Sequence, residues 1–113
     1  MNTLRHSQSK KLDTVLDLRR LRLLYELSQR GTLAAVADAL SYSPSSVSQQ
    51  LALLERDAGV ALLEPQGRRV RLTGPGQVLA DHAGRMLAAD EAVRGELERL
   101  RPSRAPVRLA VMQ

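Results

Sequence analysis

The chain has 113 residues, 43% of them hydrophobic, with a formal net charge of +5 and a sequence pI near 10.7. This length supports one domain with an extended appendage, and the basic balance favours a polyanionic partner without naming it. The absence of cysteine excludes disulfides and thiolate metal sites, and there is neither a secretory h-region nor an apolar run of membrane-spanning length. The expectation is a soluble cytoplasmic protein with no membrane partner.

Aromatic residues make up 2%, with no Phe and no Trp, so a core must be built from Leu, Val and Ala, which suits closely packed helices. Positive charge is not spread evenly. Residues 1–30 carry seven basic and three acidic residues, residues 61–72 carry three and one, and residues 73–104 balance five against five.

Residues 1–15 are polar, with Ser7, Gln8, Ser9, Lys10 and Lys11 and almost nothing to bury, and are expected to form a flexible tail. From Leu16 or Asp17 to Arg30 the spacing predicts a helix with Leu18, Leu21, Leu24, Tyr25 and Ser28 on one stripe and Gly31 as its stop. Thr32 then starts a second helix, whose Leu33, Val36, Ala37 and Leu40 recur at i, i+3, i+4 and i+7. Ser41, Tyr42 and Ser43 favour a turn, and Pro44 suits the first position of a third helix that buries Val47, Leu51, Leu54 and Ala58.

The opposite face of the third helix carries Ser45, Ser48, Gln49, Ala52 and Arg56, with no acidic residue before Glu55 and Asp57. Such a face is narrow and hydrogen-bonding enough to enter a DNA major groove. An ordinary αα-hairpin with a solvated polar face has the same spacing, so both readings stay open at this point.

Beyond Gly59 the pattern becomes strand-like: Ala61-Leu62-Leu63, a bend at Glu64-Pro65-Gln66-Gly67, then Arg68-Arg69-Val70-Arg71-Leu72. Leu63, Val70 and Leu72 are expected to face the helices, with Arg68, Arg69 and Arg71 near the tip. Three arginines in four residues beside a helix-turn-helix favour phosphate or minor-groove contact over mere solvation. The fold class expected for residues 16–73 is therefore mainly α, a winged helix-turn-helix of three helices and a two-stranded wing.

Thr73 as cap, Pro75 in the first turn and Pro102 past the end mark one long helix over residues 74–101. Roughly 26 residues span about 39 Å, more than the domain needs for its own core. Leu79, Ala83, Met86, Asp90, Val93, Leu97 and Leu100 follow alternating four- and three-residue steps, the spacing of a coiled-coil seam. The expectation is dimerisation through that seam, the alternative being a seam that folds back on its own domain. Residues 102–113 read as a hinge followed by a strand, Val107 to Met112, as though a second domain began there.

Catalytic chemistry finds no support. His6 and His82 are far apart, so no metal-ligand set is expected. The serine run Ser41, Ser43, Ser45, Ser46 and Ser48 has no base in a recognisable arrangement, and no Gly-rich phosphate loop follows a strand. The chain is not expected to be an enzyme or to carry a cofactor.

With these elements in order, the chain resembles the N-terminal DNA-binding domain of LysR-type transcriptional regulators. The resemblance rests on Asp17 through Arg22, Gly31-Thr32-Leu33, Ala37 through Leu40, Ser43 through Leu51, Leu54-Glu55, Gly59-Val60 and Gly67 through Thr73. It implies a bacterial regulator that dimerises through the long helix and binds an interrupted inverted repeat in double-stranded DNA. For the full-length family it implies tetramers and a small-molecule co-inducer bound by a separate C-terminal domain. Carried over as DNA contacts are Thr32, Pro44, Ser45, Ser48, Gln49, Gln50, Arg68 and Arg69. The sequence departs from the family at Leu24 or Tyr25, Leu33 and Leu63, where Phe is usual, and at Pro65, where a basic residue is common. The usual proline at Ser45 has moved to Pro44, and Gln49 replaces a basic residue. A winged-helix module that binds only protein is the competing reading. It has no need of three wing arginines beside a face free of carboxylates.

Overall fold

The computed structural model describes residues 16–102. The expected tail and the expected strand at 107–112 lie outside the described residues. Among these residues, four helices and a two-stranded antiparallel ribbon occur in the order α1 (Leu18–Arg30), α2 (Leu33–Leu40), α3 (Pro44–Ala58), β1 (Leu63–Gln66), β2 (Arg69–Leu72) and α4 (Gly74–Leu100).

Each boundary has a local cause. The Arg19 N–H donates to the Asp17 carboxylate at the start of α1 (2.8 Å), and the Gly31 N–H closes its end on the Leu27 carbonyl (2.9 Å). The Arg19 N–H, outweighing an opposing cost of burial and helped to a lesser degree by the Arg20 N–H and the two guanidinium charges, holds the Asp17 carboxyl below its ordinary range. Thr32 and Ser43 cap α2 and α3 by accepting from Ala35 N–H and Ser46 N–H, each at 3.1 Å. Between them Ser41 takes the left-handed conformation (φ 63°), which lets the chain reverse in three residues and start α3 on Pro44.

The core is aliphatic, as the composition requires: Leu21, Leu23, Leu24 and Leu27 from α1, Val36 and Ala37 from α2, Val47, Leu51 and Leu54 from α3, Leu62, and Ala80 and Ala83 from α4. On α1 this departs from the expected stripe. Leu23 and Leu27 are buried, whereas Leu18, Tyr25 and Ser28 are half-buried. The physical reason is position: α1 packs against α2, α3 and α4 at once, so its buried surface is wider than one amphipathic stripe.

In the wing, Pro65 lies within β1 opposite Val70, not in the bend where it was expected, and the bend is Gly67-Arg68. A two-residue loop closes on a hydrogen-bonded pair, here Gln66 and Arg69. Alternation then gives Pro65 a non-hydrogen-bonded position, where its missing N–H costs the ladder nothing. Gly67, at φ 63°, supplies the left-handed first loop residue.

The long helix also divides differently from the expectation. Its first half packs on α1, with Ala83 fully buried in its own domain and Leu79 and Met86 half-buried against the same core. Ala83 was expected on the dimerisation seam, and its full burial corrects that; Leu79 and Met86, expected on the same seam, keep part of their surface outside the core. Gly84 permits the close approach, since a Cβ there would stand 2.9 Å from Cε1 of Tyr25. Val93, Leu97 and Leu100 in the second half remain 54%, 61% and 73% exposed.

Candidate nucleic-acid interface

The surface with the clearest chemistry is the outer face of α3. Pro44, Ser45, Ser48, Gln49, Ala52 and Arg56 are all exposed there, as a helix with Val47, Leu51 and Leu54 buried on its inner side requires. Both carboxylates near the end of α3 are drawn away from this face. Glu55 Oε2 accepts from the backbone N–H groups of Leu62 (2.8 Å) and Leu63 (3.0 Å), and Asp57 Oδ2 accepts from Arg20 Nη1 (3.3 Å). The face is left with hydroxyls, one long amide and a guanidinium.

Glu55 also determines where the wing begins. Its two charge-assisted bonds hold the backbone entering β1, while the Leu62 carbonyl accepts from Thr73 N–H (2.9 Å) and Thr73 Oγ1 donates to the Ala61 carbonyl (2.7 Å). The same Thr73 hydroxyl oxygen accepts from Gly76 N–H at 3.0 Å, so one side chain joins the root of the wing to the start of α4. Strand alternation then turns Val70 and Leu72 towards the domain and leaves Arg69 and Arg71 exposed. Arg71 Nε is bonded to Glu64 Oε2 (2.6 Å). Among the described residues neither Arg68 nor Arg69 has an ion pair, so the two wing-tip charges are available to an outside anion.

Of the residues carried over as contacts, Pro44, Ser45, Ser48 and Gln49 share the exposed face of α3, and Arg68 and Arg69 stand at the wing tip. The Thr32 hydroxyl serves as the α2 cap. Gln50 differs: it is half-buried, and its Oε1 accepts from Arg20 Nε at 2.8 Å. Arg20, Glu55, Asp57 and Thr73 were not singled out from the sequence as members of the site. Arg20 is 30 and 37 residues from its two partners, and no local pattern encodes such a pairing. Among the described residues no group of three His, Cys, Asp or Glu side chains is arranged to hold a metal, and no helix is long and apolar enough to cross a membrane.

A three-helix core, a hydrogen-bonding face on its third helix and a basic two-stranded ribbon define the class: a winged helix-turn-helix domain. The family model described as the bacterial regulatory helix-turn-helix protein, lysR family, matches residues 18–77, and the chain belongs to that family. Over 84 residues it is 36% identical to the SDS degradation transcriptional activation protein of Pseudomonas sp. (strain ATCC 19151), a match covering 74% of this chain and 28% of the relative. Its fold is similar to that of a BenM DNA-binding domain in complex with catB site 1 DNA (TM-score 0.70, 26% identity, 74% of this chain and 94% of that one). It is also similar to a CbnR DNA-binding domain in complex with DNA (TM-score 0.66, 30% identity, 75% and 99%). The chain thus spans less than a third of the length of its regulator relative.

Proposed function

We propose that this domain binds double-stranded DNA sequence-specifically within a cytoplasmic transcriptional regulator that is not an enzyme. In this reading α3 lies in the major groove and the wing tip rests on the sugar-phosphate backbone or minor groove. The observation that carries it is the treatment of charge on α3: Glu55 and Asp57 are both bonded inward, so nothing on the outer face repels phosphate. Self-association through the exposed half of α4 would set two such faces on an interrupted inverted repeat, and any small-molecule co-inducer would act through a separate C-terminal domain. Selection of bound sequences from a random duplex pool tests the core of the proposal. Recovery of no preferred sequence would remove specific recognition.

Gln49 is the long amide at the centre of the exposed face, flanked by the short Ser45, Ser48 and Ala52. An amide donates to and accepts from one adenine edge, worth about 1–3 kcal/mol of discrimination. Gln49→Ala should weaken binding to the selected operator by about that amount and leave unrelated duplexes nearly unaffected at the same salt concentration. An equal loss on both would mean that Gln49 touches only phosphate or water.

The wing makes a separate expectation. Arg68→Ala and Arg69→Ala should each weaken binding to every duplex and reduce the slope of log affinity against log salt by about one unit. Unchanged slopes would take the wing off the DNA.

A further inference from the structure

On the flank of α3 away from the wing, a depression is lined by Asp17 ahead of α1, Arg19, Arg20 and Leu23 of α1, Tyr42 of the turn, and Ser46 and Gln50 of α3. Ser46 and Gln50 sit about 100° round the helix from Ser45 and Gln49, so the depression borders the outer face directly. Glu55, which anchors the wing, lies on the opposite flank. A helix seated in a major groove has a sugar-phosphate strand on either side of it, and the wing serves only one.

The chemistry of the depression suits an acceptor from outside. Asp17 Oδ1 is already committed to the Arg19 backbone N–H at 2.8 Å, and the Arg19 guanidinium stands further off, with Nε at 3.7 Å and the side chain 86% exposed. Its donors are therefore available. Arg20 can only donate, so the Gln50 atom facing it is the carbonyl oxygen, and the amide NH2 is the end that an outside group meets. Asp57, the other nearby carboxylate, is held by Arg20. Tyr42 adds an exposed phenol.

We propose that this depression binds a phosphodiester of the DNA strand opposite the wing, with the Arg19 guanidinium, the Tyr42 hydroxyl and the Gln50 NH2 as donors. Arg20 is a positioning residue that orients the Gln50 amide. The proposal rests on the DNA-binding reading above, and its test separates the two.

Binding of the full chain to a random-sequence duplex is measured across a range of salt concentrations for wild type, Arg19→Ala, Arg19→Lys, Tyr42→Phe and the wing variant Arg68→Ala, with circular dichroism to check folding. Arg19→Ala should reduce the salt slope by about 0.9 unit, as expected for one phosphate neutralisation lost, and Arg19→Lys should restore it. Tyr42→Phe should weaken binding severalfold at every salt concentration with the slope unchanged, because the lost donor is neutral. If Arg19→Ala matches wild type in slope and affinity while Arg68→Ala does not, the second phosphate site is wrong and the DNA-binding reading stands. If wild type binds no duplex at any salt concentration, both fall.

Discussion

Gly76→Ala is expected to destabilise the domain by about 3 kcal/mol or more, a large part of the stability of a domain this size. A Cβ at this position would overlap the carbonyl oxygen of Leu62 and crowd its carbon and Cα at 3.0 and 3.2 Å. What it meets is backbone, and that backbone cannot step aside. Leu62 N–H is bonded to Glu55, its carbonyl is bonded to Thr73 N–H, and its side chain is fully buried. Relief would have to come from separating α4 from the root of the wing. Gly74, two residues earlier, is the internal control: a Cβ there meets nothing within 4 Å, so Gly74→Ala should be neutral or slightly stabilising. Urea denaturation at one protein concentration compares the two. Equal midpoints would show that the close approach at Gly76 is not real.

The second large effect concerns Leu97→Asp. Val93, Leu97 and Leu100 lie on one stripe of α4, all more than half exposed, and among the described residues no element covers them. In a two-fold dimer every substitution is felt twice, and burying one leucine contributes roughly 1.5–3 kcal/mol. Losing two such contributions, with carboxylates left facing an apolar seam, should raise the dimer dissociation constant more than about a hundredfold. The domain itself should keep its fold, because Leu97 contributes nothing to the core. Sedimentation should show a folded monomer where wild type is a dimer, and binding to an inverted repeat should fall to that of a half-site. A monomeric wild type would overturn the assignment of this stripe. Ala83 cannot serve the same test, since it is buried inside its own domain and a carboxylate there would unfold it.

Much of the architecture was legible without coordinates because its causes are local. The stops at Gly31 and Gly59, the caps at Thr32 and Thr73, and Pro44 at the first position of α3 act through hydrogen bonds and dihedrals spanning three or four residues, and sequence neighbours encode those directly. The apolar positions of α2 and α3 followed for the same reason. Pro65 misled because proline is compatible with two local roles, a bend or a strand position that donates no ladder bond, and only the pairing register decides between them.

By itself, then, the sequence determined the order of elements, the winged helix-turn-helix class and the exposed polar face of α3, each through periodicity and capping. Tertiary structure alone decided how the charges are disposed and where the long helix ends its service to its own core. Glu55 is spent on the wing backbone, Arg20 spans to Gln50 and Asp57, and α4 buries Ala80 and Ala83 on α1 while leaving Val93, Leu97 and Leu100 outside. The physical reason is range. A cap depends on residues a turn away, whereas an ion pair across 37 residues, or a seam shared between a core and a partner, depends on how the packed helices are oriented.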